Sequence, residues 1–395
     1  MNLKFIGGIL LIVGTSIGGG MLALPVATAA AGFWSSSIFL LLCWAVMTLG
    51  ALFILEANLY LPPGKHMVSM AAATLGNKGL LIAWLSYLFL LYTLLSAYIS
   101  GGADVMGSLF LRMGIPLKEW QSSFLFTLLF GLVVYSGIHK VDLLNRALMF
   151  GKLAVYSILI ILIAPHVHIL NLGHGNYHYI TASIMILITS FGFAIIVPNL
   201  RDYFNDDLVT LRKVIFIGSL IPLLCYLAWN AVIIGSLPSQ GEKGLAALMQ
   251  SEHTTSDLAN VLSNTVQNTV ISTFFNFFTS ICMLTAFLGV SLCLISFLAD
   301  GFKMEQKGRN GFLLFCLTFL PPLIIVIYYP GAYIHALNYA GIICVILLLL
   351  LPALMVAYGR KKFVSRYLAP GGLYMPWVIV VISILLLANA IIQLF

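Results

Sequence analysis

The chain has 395 residues, of which 19 are Lys or Arg and 12 are Asp or Glu. Charged residues therefore make up 8% of the chain, against about 25% in an ordinary soluble domain. Hydrophobic residues make up 61% and gather in runs of about eighteen or more, the length that crosses a bilayer as a helix. This composition excludes a soluble protein and predicts an all-α polytopic membrane protein. The net charge of +7 has no soluble domain to carry it, so no nucleic-acid partner is expected.

Eleven apolar runs, separated by loop signals, predict eleven transmembrane helices. The predicted spans are 5–30, 34–59, 80–110, 122–138, 146–165, 179–199, 214–236, 269–299, 311–329, 333–357 and 374–394. The first run is too long, and too often interrupted by glycine, for a cleaved secretory signal, so we interpret it as a retained span. The six cysteines lie inside apolar runs and are interpreted as buried small side chains.

The distribution of basic residues predicts the orientation. With a cytoplasmic N-terminus, fifteen of the 19 basic residues fall on the cytoplasmic side and three fall outside, namely Arg112, Lys118 and Lys243. The remaining one, Lys152, falls within a span. The positive-inside rule and the odd number of spans therefore predict a cytoplasmic N-terminus and a periplasmic C-terminus.

Two spans carry a break in their apolar pattern. Span 1 contains GTSIGGGMLALP from Gly14 to Pro25, and span 6 contains TSFGFAIIVPN from Thr189 to Asn199. Because spans 1 and 6 are five apart, they cross the bilayer in opposite directions. Broken helices at corresponding places in two oppositely oriented halves indicate an inverted-repeat transporter, with its substrate site between the breaks.

The glycines of span 1 allow two interpretations. Gly14 and Gly18 alone fit a packing face of small residues between two membrane helices. Three consecutive glycines, Gly18 to Gly20, exceed what one face needs and indicate unwound backbone. Amides freed at the start of a half-helix favour a carboxylate, and carbonyls freed in span 6 favour an ammonium. Together they predict a zwitterion, and free amino acids are the commonest such solutes.

Four motifs resemble those of the bacterial aromatic amino acid permeases. They are GTSIGGGMLALP, YTLLSAYISGG from Tyr92 to Gly102, NRALMFGK ending at Lys152, and SFGF from Ser190. These permeases are the tyrosine-specific and tryptophan-specific carriers of the amino acid–polyamine–organocation superfamily. The resemblance implies the LeuT-type fold, with inverted five-helix repeats at 1–165 and 179–357 and an extra span at 374–394. It also implies proton-coupled import of aromatic amino acids, tyrosine favoured, across the bacterial inner membrane.

The resemblance assigns roles to both breaks. Backbone amides would hold the substrate carboxylate at Thr15, Ser16, Ile17, Gly18, Gly19 and Gly20. Backbone carbonyls would hold its ammonium at Ser190, Phe191 and Gly192. Phe191 and Phe193 would wall the substrate side chain, and packing aromatics are the alternative interpretation.

Further candidates lie on other spans. They are Tyr92 and Ser96 on span 3, Asn276 on span 8 and Asn338 on span 10. Tyr92 and Ser96 are four apart and so share one helical face. The asparagines offer polar groups to a substrate hydroxyl or indole, and interhelical packing is the alternative for both.

Two charges fall within the membrane, and both are candidates for proton coupling. Lys152 is a functional candidate because an ammonium inside a span is costly, although it could also snorkel to the headgroups. The resemblance implies that its ammonium stands where sodium lies between spans 1 and 8 of sodium-coupled relatives. Glu56 either carries a proton or accepts N–H groups freed in span 6, and we favour the structural role. Hydroxyls on span 8 at Thr285 and Ser291 keep sodium coupling as the lesser option.

An intramembrane enzyme and a channel are the competing classes. The loop with His166, His168, His174 and His178 could suggest a metal, but no cysteine or nearby acid completes a tetrahedral set. Common catalytic motifs are absent from the loops, and a channel would want a lined pore. We therefore expect a transporter, not an enzyme, that works in the lipid bilayer with an amino acid and protons. No cofactor, metal or obligate protein partner is expected.

Overall fold

The fold is seen in a computed structural model that describes residues 3–238, 244–266 and 269–394. All regular secondary structure in this described part is helical. The α-helices are α1 (Leu3–Ser16), α2 (Gly19–Thr28), α3 (Phe33–Asn58), α4 (Met67–Arg112), α5 (Glu119–Tyr135), α6 (Ile138–Ile163), α7 (Ile169–Gly173), α8 (Ile184–Ser190), α9 (Val197–Tyr203), α10 (Leu208–Ser236), α11 (Thr254–Val266), α12 (Thr269–Phe302), α13 (Gly308–Tyr328), α14 (Ala332–Cys344), α15 (Leu351–Lys362) and α16 (Met375–Leu394). Lys243, assigned above to the outer side, lies outside the described residues.

Nine helical stretches of the described chain are long and apolar enough to cross a membrane, and the bent pair α1 and α2 makes up to ten. The remaining predicted span, 122–138, corresponds to α5, which has only 17 residues. A helix of 17 residues rises about 25 Å, just short of the roughly 30 Å hydrocarbon layer. The polytopic, all-helical architecture predicted from composition is confirmed for the described residues, whereas the count of eleven is not.

The third predicted span extends further than its apolar run. We predicted 80–110, and α4 runs from Met67 to Arg112. Within it Gly76 has φ of +72°, a left-handed conformation that glycine adopts without strain. The residues before Gly76 therefore form a separate short helix at the end of the span. Polar residues at this junction, including Lys78, kept them out of the predicted apolar run.

Span 1 is broken at the glycine run. Between α1 and α2 the helix axis bends by 52°. Gly18 has an extended conformation, with φ of −146° and ψ of −149°. Every residue of α2 is buried, so the second half of this span lies inside the bundle.

Span 6 loses regular α-helical geometry at the position that the sequence indicates. The helix α8 ends at Ser190, Phe191 leaves the helical region, and residues Gly192–Ile196 form a 3₁₀ stretch before α9. A third irregularity, the π-helical turn Val345–Leu350, joins α14 to α15. It packs against α3 and α16. The interruptions of spans 1 and 6 lie side by side, because a Cβ on Gly20 would stand 3.2 Å from Ser190 Oγ.

Candidate functional site

One tyrosine on α10 joins the two breaks. The hydroxyl oxygen of Tyr226 lies 2.6 Å from the carbonyl oxygen of Ser16 and 2.8 Å from that of Ser190. Its ring meets the Phe191 ring edge to face, with centroids 5.3 Å apart. Ser190 was predicted to offer a carbonyl to a substrate ammonium, and one lone pair of that carbonyl already faces Tyr226. Sequence reasoning missed Tyr226, since nothing distinguishes it among 17 tyrosines.

The predicted amide set divides between two half-helices. Thr15 and Ser16 belong to α1, and the Ile17 amide donates to the Val13 carbonyl over 2.8 Å. Their amides therefore donate to carbonyls within α1 and are not available to a substrate. The first amides of α2 have no intrahelical acceptor, so the anion-binding part of the prediction narrows to Gly18, Gly19 and Gly20. Thr15 also turns its side chain outward, where it donates to the Leu11 carbonyl over 2.7 Å.

Three side chains surround the glycine run, and the sequence reading named none of them. Tyr333 on α14 donates its hydroxyl to the Gly19 carbonyl. A Cβ on Gly19 would stand 2.7 Å from the Tyr98 ring and 3.3 Å from Met283 Sδ. Tyr98 belongs to the YTLLSAYISGG motif, six residues beyond Tyr92, and it is the tyrosine of that motif whose ring lies beside Gly19.

Lys152 lies at the end of the first half-helix. Its ammonium donates to the Ile17 carbonyl and stands 3.4 Å from Thr285 Oγ1 on α12. The side chain is 1% exposed, so it does not snorkel to the headgroups. The carbonyls that end α1 carry the negative end of the helix dipole, which favours a cation there. The two half-helices therefore meet at the break with opposite ends. The C-terminal end of α1 offers carbonyls to Lys152, and the N-terminal end of α2 has free amides.

Phe191 and Phe193 are both fully buried in the second break. Asn338 on α14 has a buried side-chain oxygen without a hydrogen-bond partner among the residues described. A buried acceptor left unpaired costs free energy, so this oxygen is suited to a polar group that arrives from outside. Gly192 lies close to Cys344, with 3.9 Å between its added Cβ and the sulfur.

Other predicted site residues make hydrogen bonds to backbone carbonyls. The Tyr92 hydroxyl donates to the Leu317 carbonyl on α13 over 2.7 Å. Ser96 donates to the Tyr92 carbonyl over 2.9 Å, and Asn276 donates to the Ser272 carbonyl over 2.8 Å. None of these three hydrogen bonds is made to a residue of the two breaks. The i, i+4 spacing of Tyr92 and Ser96 fixed a shared face, but not which neighbouring helix that face meets.

Glu56 is completely buried and has several partners at once. Its carboxylate accepts two hydrogen bonds from Arg360, of 2.7 and 2.8 Å. It also accepts one from the Tyr60 hydroxyl over 2.9 Å and one from the Ala369 amide over 2.7 Å. The donors come from α15, from the segment after it and from the residues that follow α3, not from span 6 as proposed above. Arg360 was missed because its sequence neighbours, Lys361 and Lys362, marked it as a solvated loop residue.

A cluster of polar side chains that includes Asp104, His253 and Ser256 lines a cavity of about 300 Å³. Asp104 on α4 accepts from Thr255 and Ser256 at the start of α11, with both Ser256 bonds shorter than 3 Å. His253 lies 3.3 Å from Asp104 and 3.5 Å from Glu119 on α5. Its hydrogen bond to Asp104, opposed by partial burial, raises the pKa of His253 to about 9.

No group of three or more His, Cys, Asp and Glu side chains is arranged to hold a metal ion in residues 3–238, 244–266 and 269–394. The four loop histidines considered above therefore form no such group.

Comparison with known proteins identifies relatives along the whole chain. A tyrosine-specific transport system 2 protein of Haemophilus influenzae is 33% identical over 353 residues, which cover 88% of this chain and 86% of that protein. A tryptophan-specific transport protein of Pseudomonas aeruginosa is 32% identical over 371 residues, covering 92% and 88%. Glutamine transporter 2 of Aliivibrio fischeri is 30% identical over 369 residues, covering 92% and 91%.

Solved structures with a similar fold are also transporters. A nucleobase-cation-symport-1 family transporter in a closed conformation gives a TM-score of 0.63 at 14% identity, covering 98% of this chain and 89% of the other. A variant of the manganese transporter of Eremococcus coleocola gives 0.64 at 14% identity, covering 99% and 86%. These LeuT-like neighbours share the fold.

The family assignment rests on the full length of the sequence. Residues 1–390 match the tryptophan/tyrosine permease family. The resemblance seen in the four motifs is thereby confirmed, and the expectation of a transporter in place of an enzyme is confirmed as well. The chain belongs to the tryptophan/tyrosine permease family.

Proposed function

We propose that this permease imports an aromatic amino acid, tyrosine favoured, together with protons by alternating access. The proposal includes eleven spans, with two inverted five-helix repeats at 1–165 and 179–357 and a last span at 374–394. It also includes the bacterial inner membrane, a cytoplasmic N-terminus and a periplasmic C-terminus. Support for the orientation comes from the basic residues, which the positive-inside rule assigns mostly to the cytoplasm.

The single observation that carries the proposal is the position of Lys152. Its ammonium bridges the Ile17 carbonyl in the first break and the Thr285 hydroxyl on α12. When charged, it can hold the first half-helix against α12. When neutral, it loses the charge-assisted part of these hydrogen bonds, and the first half-helix is freer to move. A protonation step at Lys152 is therefore a step that changes how firmly the broken span is held.

Substrate recognition follows from the two half-helices. The amides of Gly18, Gly19 and Gly20 at the positive end of α2 suit a carboxylate. The carbonyls around Ser190 and Gly192 suit an ammonium, and the rings of Phe191 and Phe193 lie within the same break. The charged ends of a zwitterion fit this set of groups.

Sodium coupling is the second candidate. The Ser291 hydroxyl on α12 is buried without a hydrogen-bond partner among the described residues, which is the kind of oxygen that sodium needs. Against it, the Ile17 carbonyl and the Thr285 hydroxyl already face the Lys152 ammonium. A sodium ion bound to the same two oxygens would lie next to the Lys152 ammonium, and the two cations would repel each other in a medium of low dielectric constant.

The names of the relatives frame the choice of substrate. Two of the relatives above are named for tyrosine and tryptophan, and one for glutamine. We propose tyrosine first, tryptophan second and another neutral amino acid third. Competition by each amino acid against uptake of labelled tyrosine ranks them directly.

Uptake into proteoliposomes tests the coupling ion. An inward proton gradient should drive accumulation of labelled tyrosine, and an inward sodium gradient at equal pH should not. Lys152→Ala should abolish accumulation, whereas Lys78→Ala, at an exposed position on α4, should leave it unchanged. Sodium-driven accumulation of undiminished extent in Lys152→Ala would replace proton symport with the sodium alternative.

A further inference from the structure

An apolar cavity of about 210 Å³ lies between α4, α5, α6 and α12. Phe126 and Phe130 on α5 form one wall, and Val105 on α4 faces the same space. Ile281 and Met283 on α12 form the inner wall, and Ser280 contributes a hydroxyl. None of these residues was singled out by the sequence or used in the function proposed above.

One side chain borders both this cavity and the glycine run. Met283 is fully buried and lines the cavity. Its sulfur would stand 3.3 Å from a Cβ on Gly19, and its terminal methyl would stand 2.6 Å from a Cβ on Gly101. The same methionine therefore touches the first turn of α2, where the carboxylate site is proposed, and also lines the cavity.

The cavity suits an aromatic ring in size and in chemistry. A cavity of about 150 Å³ lined by Leu, Ile and Phe is large enough to hold benzene. Phe126 already meets Phe130 and Phe287 edge to face, with centroids 5.0 and 5.2 Å apart. A further ring can join such a cluster in the offset or edge-to-face geometry that aromatic pairs prefer.

Methionine is suited to move aside. It is unbranched, has three rotatable bonds and adapts to irregular space. A small substrate side chain would leave Met283 in place between the glycine run and the cavity. A ring attached to a zwitterion held at the α2 amides would need the space that Met283 occupies.

Building on the proposed function, we infer that this cavity, and not the second break beside Phe191 and Phe193, receives the aromatic ring of the substrate. Met283 is the residue that sets specificity, because it must withdraw to let the ring pass. The proposal commits the cavity to the ring of the transported amino acid, and an acyl chain of the bilayer is the competing occupant that the tests below exclude or establish.

Two substitutions at one position test the movement of Met283. Isoleucine is branched at Cβ and holds essentially one χ1 rotamer in a helix, so it cannot withdraw. Leucine is unbranched at Cβ and similar in volume. Met283→Ile should raise the Kd of tyrosine and tryptophan by about tenfold or more, and Met283→Leu should change it by less than about threefold. Equal affinities in both variants and in the wild type would overturn the inference.

Chemical protection tests the occupant. In Ser280→Cys, an N-phenylmaleimide adduct located by peptide mass spectrometry should form in proteoliposomes. Saturating tryptophan should slow it about tenfold. Leu132→Cys, on the face of α5 where Leu132 is 53% exposed, is the control that tryptophan should not protect. Labelling that tryptophan does not slow contradicts the inference, and labelling that proceeds in detergent but not in the bilayer assigns the cavity to an acyl chain.

The binding data separate this inference from the function on which it rests. If the wild-type protein binds none of tyrosine, tryptophan and phenylalanine, the proposed function fails. If it binds them and the Met283 and Ser280 variants behave as the wild type does, only the ring cavity fails.

Discussion

Two charged residues lie deep inside the bundle, and their surroundings are opposite. Glu56 is met by the two guanidinium nitrogens of Arg360, by the Tyr60 hydroxyl and by a backbone amide. Lys152 is met by one backbone carbonyl and one distant hydroxyl, both neutral. The first charge is neutralised by a partner of opposite sign, whereas no carboxylate among the described residues pairs with the second.

The difference distinguishes Glu56, which forms an ion pair, from Lys152, which we propose carries the coupled proton. A carboxylate with a bidentate guanidinium partner and two more donors holds the fold together at this point, because its removal would leave Arg360 unpaired. An ammonium held by neutral groups can lose its proton without stranding an opposite charge. The composition marks both residues as intramembrane charges, and only the arrangement of partners assigns them different roles.

The largest effect is expected at the paired charge. Glu56→Gln should destabilise the fold by about 3–5 kcal/mol, because it leaves the Arg360 charge buried without compensation. The measurement is thermal unfolding of the purified protein in detergent. Glu56→Met combined with Arg360→Met should recover part of the loss, since no uncompensated charge remains. A Glu56→Gln protein as stable as the wild type but deficient in proton-driven uptake would move Glu56 into the coupling machinery.

The next effect is expected at the glycine run. Gly19→Ala should reduce uptake about tenfold or more, because the new Cβ would stand 2.7 Å from Tyr98 and displace it from the break. Gly18→Ala is the matched control for folding, since its Cβ would stand 3.5 Å from Ala286, an ordinary contact. Both proteins should elute as single species in size-exclusion chromatography. Normal tyrosine affinity in Gly19→Ala would reduce the run to a packing face.

The smallest effect is expected at His253, which is half exposed. Asp104 raises its folded-state pKa to about 9, above the ordinary value near 6.5. A histidine shifted in this direction stabilises the fold fully below pH 6.5, and the contribution disappears as the pH rises through 9. The gap in melting temperature between the wild type and His253→Gln should therefore narrow progressively as the pH rises above 6.5 and be nearly gone by about pH 10, one unit above that pKa. A gap that persists at pH 10 would show that the ring packs there without its charge.

Sequence patterns predicted the helices and the places where they break. Runs of apolar residues predict spans because a helix that crosses the hydrocarbon layer must be apolar and of a certain length. Three consecutive glycines predict a break because nearly a full turn then has no side chains. The same reasoning placed Lys152 and Glu56 inside the bundle. These features depend on residues near one another in the chain.

Contacts between distant segments were not predictable in the same way. Tyr226 and Tyr333 reach the breaks from α10 and α14, and nothing in their own neighbourhoods indicates it. Tyr92 was chosen in place of Tyr98, although both lie in one motif, because period alone does not say which helix a face meets. Its basic neighbours indicated a cytoplasmic loop for Arg360, whereas in the fold its guanidinium donates to Glu56.

Counting protons with substrate tests the central claim most directly. A pH-sensitive dye trapped in proteoliposomes, with no imposed gradient, should report acidification when tyrosine is added to the wild-type protein. Lys152→Ala should still bind tyrosine but move no protons. Proton entry with tyrosine in Lys152→Ala equal to that of the wild type would contradict the account, because coupling would then reside elsewhere.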